Sequence, residues 1–244
     1  MGKLNSTKTR VVPLIDTIKN SKNLINELFD LFQGVQKISD DDEILEICYG
    51  NEEKKLCPKQ ELLEWCVNNP DKLLRPENFG STNAETQQNR KELFSTSQAK
   101  KKEALELIRK NPVATSKWYI FEGYSQPDIY IETKNCIYIA EAKRTEPNLT
   151  TSTTWLKNRD QLIRHVDNVI DSHKKVFYFF IIDESKENTY DLSPYSKSFE
   201  YYAASLPHRD EFSVKKIMSS YCGYTTWQKI QKSFGINFPE TVEE

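Results

Sequence analysis

Residues 126–147 read QPDIYIETKNCIYIAEAKRTEP, and the runs DIYIET and CIYIAEA within them are rich in Ile and Tyr. Residues that are β-branched or aromatic at this density are typical of strands. The Lys134–Asn135 pair between the runs predicts a short turn, so the two runs should form an antiparallel hairpin. This hairpin decides the fold, because the other predicted elements can be arranged around it.

Charged residues lie within this apolar hairpin. Side chains alternate along a strand, so Glu141 and Lys143 should share one face at the end of the second strand. A turn at residues 134–135 pairs positions whose numbers sum to about 269, which sets Asp128 opposite Glu141. Two carboxylates that face each other across paired strands repel, and a divalent cation would relieve that repulsion. Hard oxygen ligands on a rigid scaffold suit Mg²⁺.

The elements around the hairpin predict an α/β core. Residues 117–123 (KWYIFEG) read as a further strand before it. From about residue 85 to residue 111, either one long helix or two abutting helices are expected. A helix from about residue 155 to residue 173 should follow the hairpin. The almost wholly apolar run KVFYFFIIDE, residues 175–184, then suits a strand buried on both faces. The predicted order is helix, three strands, helix, strand.

The flanking regions read as helical extensions that pack on this core. Residues 11–33 carry the apolar stripe of an amphipathic helix, and a second helix is expected over residues 58–68. Near the C-terminus two helices are expected at about 211–221 and 226–234, separated by Gly223. The predicted division is a helical region 1–80, a core 81–190 and a helical extension 191–244.

Pro127-Asp128 followed by Glu141-Ala142-Lys143 resembles the PD-(D/E)xK nuclease superfamily, which includes many restriction endonucleases and recombination nucleases. The predicted order of elements is similar to that family's αβββαβ core with a central mixed sheet. The resemblance covers about residues 85–185 and implies metal-dependent phosphodiester hydrolysis. It implies that Asp128 and Glu141 bind Mg²⁺, with Mn²⁺ as a substitute, and that Lys143 orients or helps deprotonate the attacking water.

Gln161 and His165 are candidates on the following helix, where they lie four residues apart on one side. Several subgroups of the superfamily have a Gln on this helix that reaches the active site, and Gln161 resembles that residue. The family shows a Tyr where this chain has His165, and the competing interpretation for both residues is a solvated polar stripe.

Other candidates each have an ordinary structural alternative. Glu106 and Glu122 are possible additional acids, and their alternatives are a surface helix residue and an ion pair at the sheet edge. Arg144 could meet a phosphate or pair with Glu146. Lys101 and Lys102 are candidate nucleic-acid contacts, and their alternative is a solvated helix face. Trp155 is another candidate contact, and its alternative is a place in an ordinary ordered loop.

Composition bounds the remaining possibilities. The 244 residues are 37% hydrophobic, enough for a sizeable core, and no apolar run approaches the length of a membrane span. Seven glycines form neither a P-loop nor a Rossmann pattern, so no nucleotide cofactor is expected. Five cysteines lack a close C-x-x-C pair, which favours free thiols and a cytoplasmic location.

Two functions are compatible with the sequence. The first is a Mg²⁺-dependent DNA endonuclease of restriction or defence type, for which cutting both strands would call for a homodimer. The alternative is a catalytically inactive nuclease-fold protein that acts as a nucleic-acid-binding or assembly module. The net charge of −2 favours the alternative, because the chain as a whole lacks the excess of positive charge that is typical of nucleic-acid-binding proteins.

Overall fold

The computed structural model describes residues 6–111 and 117–241, which form an α/β protein around one five-stranded mixed sheet. The strands lie side by side in chain order. Among the first three, each strand is antiparallel to its neighbour, and the last two run parallel to the third. They are β1 (Ile44–Tyr49), β2 (Ile129–Thr133), β3 (Cys136–Ala142), β4 (Lys175–Ile182) and β5 (Tyr221–Thr226).

Ten α-helices connect and flank the strands in the described part of the chain. Before β1 lie α1 (Val12–Ile18) and α2 (Lys22–Phe29). Between β1 and β2 lie α3 (Gln60–Asn68), α4 (Ala84–Phe94) and α5 (Gln98–Lys110), and α6 (Gln161–Asp167) joins β3 to β4. The remaining helices are α7 (Ser193–Lys197), α8 (Phe199–Ser205), α9 (Glu211–Ser219) and, after β5, α10 (Trp227–Phe234). None of the helices in residues 6–111 and 117–241 is both long and apolar enough to cross a bilayer.

Alternate residues of the central strands enter two different cores. Tyr138 and Phe179 pack with α1, α2 and α10 on one face of the sheet. Ile139 and Phe180 pack with α6 to α9 on the other face. The predicted alternation in β3 and the double-faced burial of β4 are confirmed, because both strands need apolar side chains on each face.

A third core lies between α3, α4 and α5 and takes in the apolar residues that precede and follow the hairpin. The predicted strand over 117–123 is wrong, because these residues are irregular up to an isolated bridge between Ser125 and Leu56. The buried guanidinium of Arg90 accounts for the difference. It donates to the carbonyls of Trp118 at 2.8 Å, of Lys117 at 3.3 Å and of Ile120 at 3.3 Å, which satisfies acceptors that a strand would pair.

Both regions predicted to be helical also contain a strand. β1 lies within residues 1–80, and β5 replaces the expected break at Gly223 between two C-terminal helices. Two of the predicted helices are shorter than expected. The helix over 11–33 divides before Ser21, whose hydroxyl caps α2. Over residues 85–111, the alternative of two abutting helices is confirmed by α4 and α5, and the Ser97 hydroxyl caps α5. The helix expected from 155 begins at Gln161, because the preceding Trp155 belongs to the third core.

Candidate active site

The β2–β3 hairpin has the predicted register. Ile129 pairs with Ala140 and Tyr130 with Ile139, so the next position outward sets Asp128 beside Glu141. The amide of Ala142 donates to Asp128 Oδ2 at 2.8 Å, which fixes this carboxyl at the end of the ladder. The hairpin therefore brings the two acids together at the carboxyl end of β3.

Lys143 completes the group immediately after β3. Its amide donates to the carbonyl of Ile181 at 2.8 Å, which extends the pairing with β4 by one residue. Its ammonium donates to Glu141 Oε1 at 2.8 Å and to Gln161 Oε1 at 3.2 Å. The structure thus brings Asp128, Glu141, Lys143 and Gln161 to one edge of the sheet.

Gln161 reaches the group because it is the first residue of α6. Asp160 caps the helix, since its Oδ1 accepts from the amide of Ile163 at 2.9 Å.

His165 lies one turn after Gln161 on α6. Its Nε2 lies 3.2 Å from Glu141 Oε2, and the imidazole is fully buried. Burial, helped by the charge of Arg164, lowers the pKa of His165 to about 3. The ring is therefore neutral at pH 7, and the tautomer with its proton on Nε2 can donate to Glu141 Oε2.

Burial and mutual repulsion govern the ionisation of the two acids. Burial, followed by the charge of Glu141, raises the pKa of Asp128 well above its usual range. Burial also raises the pKa of Glu141, although Lys143 opposes this shift. The two carboxyl groups lie within hydrogen-bonding reach, so a shared proton or a cation between them relieves their repulsion. Burial alone would lower the pKa of Lys143, but the charge and hydrogen bond of Glu141, together with the charges of Asp128 and Glu146, raise it overall.

Glu53 is a further acid at this edge that sequence analysis missed. Tyr49 pairs with Ile129, and Leu56 bridges Ser125, so the loop of residues 50–55 spans the stretch that leads to Asp128. Burial, followed by the charges of Asp128 and Glu141, raises the pKa of Glu53 to about 7. Glu53 could have been found only by assigning β1 first, because its place beside the site follows from that pairing.

The other candidate acids lie elsewhere. Glu122 is buried and accepts two hydrogen bonds of 2.8 Å from Arg159, so the ion-pair alternative describes it. Glu106 is exposed on α5, in agreement with a surface helix residue. The sequence identified neither the role of Arg159 nor its second carboxylate partner, Asp167, which accepts at 2.7 Å.

The residues expected to contact nucleic acid do not surround the site. The buried guanidinium of Arg144 donates to Thr9 Oγ1 at 3.0 Å and to Glu240 Oε2 at 2.7 Å, so it is turned inward and not toward a phosphate. Trp155 is 6% exposed and packs in the third core, which removes it from the surface. On α5, Lys102 is exposed and Lys101 Nζ lies 3.4 Å from the carbonyl of Asn68.

The donor set suits a hard cation that retains water ligands. Asp128 and Glu141 supply carboxylate oxygens from a rigid hairpin, and burial raises the pKa of both, so a bound cation would favour their ionised forms. Within residues 6–111 and 117–241, no group of three or more His, Cys, Asp or Glu side chains is arranged to hold a metal ion. A cation held by these two acids would therefore complete its coordination with water or substrate oxygens.

Comparison of the chain with protein-family models, with curated proteins and with solved structures found no match.

Proposed function

We propose that this protein is a Mg²⁺-dependent endonuclease that hydrolyses phosphodiester bonds of DNA, of restriction or defence type. The observation that carries the proposal is the convergence of four side chains at one sheet edge. Asp128 lies opposite Glu141 in the hairpin, and the Lys143 ammonium donates to Glu141 at 2.8 Å and to Gln161 at 3.2 Å. Two acids and an ammonium at this spacing match the requirements of phosphoryl transfer, in which charge must be stabilised at a fixed position.

Each residue has a distinct role in this proposal. Asp128 and Glu141 would hold Mg²⁺, which supplies charge stabilisation and lowers the pKa of a bound water. Lys143 keeps its proton, because Glu141 raises its pKa, and can donate to a phosphate oxygen or orient a water. Gln161 holds the Lys143 ammonium, and neutral His165 holds the outer oxygen of Glu141.

The arrangement of strands also supports the proposal. β1, β2 and β3 are antiparallel neighbours, α6 follows them, and β4 then lies parallel to β3. This order agrees with the αβββαβ core of the PD-(D/E)xK superfamily if α3 to α5 are an insertion between its first and second strands. Under this interpretation α1 and α2 take the place of the helix that precedes the core strands.

A catalytically inactive binding or assembly module is the second candidate. It is favoured by the burial of Glu141, which is 2% exposed, and by its direct ion pair with Lys143. Leu149 and Thr150 line the same crevice as this pair and restrict access to it. A carboxylate that is already neutralised and covered does not require a metal for stability.

Cleavage of supercoiled plasmid and of duplex oligonucleotides tests the proposal. We expect nicking or linearisation with Mg²⁺ or Mn²⁺, and none with EDTA. Lys143→Met and Asp128→Asn should each abolish cleavage, whereas Lys215→Met, at an exposed lysine on α9, should cleave as wild type does. Absence of cleavage by a folded wild-type protein, together with metal-independent DNA binding, would support the binding module instead.

The proposed partner is DNA, and we propose that a homodimer makes double-strand breaks. Each chain offers one site, so two copies would be needed to cut both strands in one encounter. Sedimentation of the protein with and without duplex DNA measures the number of copies bound.

A further inference from the structure

Residues 191–241, here called the C-terminal segment, contact the candidate site at two separate points. One contact is to Asp160, the residue that caps α6. The other is to the backbone of Lys143. In each contact one side chain donates a single hydrogen bond, which Tyr201→Phe or Trp227→Phe removes while an aromatic ring stays at the position.

The first contact is made by tyrosines of α7 and α8. Asp160 is 1% exposed, and its Oδ2 accepts from the hydroxyl of Tyr195 at 2.5 Å and from that of Tyr201 at 2.9 Å. Its other oxygen caps α6 at Ile163. The amide of Asp160 donates to Ser205 Oγ at 3.1 Å. The start of α6 is therefore fixed from the C-terminal segment.

The start of α6 controls two contacts to the candidate site. Gln161 directly follows Asp160 and accepts from the Lys143 ammonium, while His165 lies one turn later and holds Glu141. Because α6 contains seven residues, its own hydrogen bonds give little resistance to a tilt or rotation at its first turn. The tyrosine hydroxyls supply that resistance.

The second contact is made by the first residue of α10. Trp227 is 1% exposed, and its indole N–H donates to the carbonyl of Lys143 at 3.1 Å. The amide of Lys143 is bound to β4 on the other side, at Ile181. The peptide groups that flank the Lys143 side chain are thus held by β4 and by α10.

We propose that Tyr201 and Trp227 are positioning residues for the reaction proposed above, and the inference rests on that function for its kinetic consequence. Tyr201 acts through Asp160 on Gln161, and Trp227 acts through the carbonyl of Lys143 on the ammonium. The C-terminal segment is in this sense part of the active site, although it contributes no group that would touch the substrate.

Single-turnover cleavage at saturating DNA and Mg²⁺ tests Tyr201. Tyr201→Phe retains the ring, which packs 5.4 Å from that of Tyr195, and deletes the hydroxyl. We expect a rate loss of about five- to tenfold with the DNA concentration for half-maximal rate unchanged. Tyr224→Phe, at a tyrosine of β5 that is 39% exposed, is the matched control and should leave both quantities unchanged. An unchanged rate in Tyr201→Phe, or an equal loss in the control, would overturn the inference for Tyr201.

A measurement that needs no cleavage separates this inference from the proposed function. The side-chain amide resonance of Gln161 in the NMR spectrum of the metal-free protein reports its contact with Lys143. Tyr201→Phe should shift it or broaden it, and Tyr224→Phe should not. If wild type does not cleave DNA, the proposed function fails, whereas the positioning role stands or falls on this resonance.

Trp227→Phe tests the second contact. If Tyr201→Phe does not fold, Trp227→Phe is the variant that tests whether the C-terminal segment positions the candidate site. The variant keeps an aromatic ring beside Phe238 but loses the N–H donor. We expect a similar loss of rate at unchanged DNA affinity and a shift of the Lys143 amide resonance. A folded Trp227→Phe variant with the wild-type rate and an unchanged Lys143 resonance would contradict the proposal.

Discussion

Glu141 shows why an apolar strand carries charged residues. The side chain is 2% exposed, and its oxygens accept from the Lys143 ammonium at 2.8 Å and from His165 at 3.2 Å. These hydrogen bonds, one of them to the charged Lys143, offset the cost of burying a carboxylate, which would otherwise be on the order of several kcal/mol. Asp128 accepts from the backbone amide of Ala142, which carries no charge. The two carboxylates, Asp128 and Glu141, are therefore matched by the single positive charge of Lys143.

Replacement of Asp128 by Asn should stabilise the metal-free protein. Asn keeps an acceptor for the amide of Ala142 but removes one of two repelling charges. We expect the free energy of unfolding at pH 8 to rise by about 1 kcal/mol. The same variant should lose any stabilisation by added Mg²⁺, which thermal unfolding with and without the ion measures. A destabilised variant that still responds to Mg²⁺ would show that Asp128 has neither role.

Glu53 should make stability fall as the pH rises through the neutral range. Its pKa is about 7 in the folded protein, above the ordinary glutamate value of 4.5, so between these values the folded state binds the proton that the unfolded state has lost. The contribution of Glu53 is therefore fully present below about pH 4.5 and is lost as the pH rises through about 7. Glu53→Gln should remove this contribution.

Urea unfolding of wild type and Glu53→Gln at pH 5 and at pH 8 measures the difference. We expect the variant to be the more stable of the two at pH 8, with a smaller difference at pH 5. Equal pH dependence in the two proteins would mean that Glu53 lies too far from Asp128 and Glu141 to interact with them.

Among the elements, the hairpin and β4 could be predicted because their signals are local. The turn at 134–135 sets the register, and the alternation in β3 sets the two faces. The position of Asp128 opposite Glu141 and the shared face of Glu141 and Lys143 therefore followed from the sequence. β1 and β5 could not be assigned in this way. Each is an edge strand with a mixed burial pattern, and its place depends on a partner distant in the chain.

The false strand at 117–123 and the missed role of Glu53 both result from contacts between residues that are distant in the chain. Residues 119–121 are all buried, which resembles a strand, but their environment is the third core and the Arg90 guanidinium. A buried arginine that satisfies backbone carbonyls leaves no periodic trace in the sequence. Without β1, the loop that carries Glu53 had no assigned neighbour.

Arg90 should therefore be essential for the third core. Its guanidinium also donates to the carbonyl of Phe79 at 2.7 Å, and it stacks 4.9 Å from the ring of Trp155. Arg90→Met should lower the free energy of unfolding by about 3 kcal/mol, because several buried carbonyls lose their donor. Arg109→Met, at an exposed arginine of α5, should change it by less than about 0.5 kcal/mol. Chemical denaturation of both variants checks the contrast, and similar losses in the two would refute the assigned role.

At the scale of the whole molecule, Arg159 joins three regions that sequence analysis treated separately. It binds Glu122 beside the third core, Asp167 on α6 and the carbonyl of Ser205 at the end of α8. Although burial opposes ionisation of Asp167, the charge of Arg159 lowers its pKa. Asp167 therefore stabilises the fold at any pH above the pKa that it has in the unfolded chain. This stabilisation is lost as the pH falls toward the lower pKa of Asp167 in the folded protein.

Removal of Arg159 should disturb all three regions together. Arg159→Met leaves Glu122 and Asp167 buried without this partner, so the free energy of unfolding should fall by about 3–5 kcal/mol. Hydrogen exchange should show faster opening of α6, α8 and residues 117–125 in the variant. Faster exchange confined to one of these regions would show that the ion network does not couple them.

The central claim is that Asp128 and Glu141 share a divalent cation, and a crystal of the protein soaked in Mn²⁺ tests it most directly. We expect an anomalous peak within about 2.5 Å of an oxygen of each carboxylate, with Lys143 and Gln161 beside it. Absence of a peak between the two acids at a Mn²⁺ concentration that supports cleavage, or carboxyl groups turned away from each other, would contradict the account.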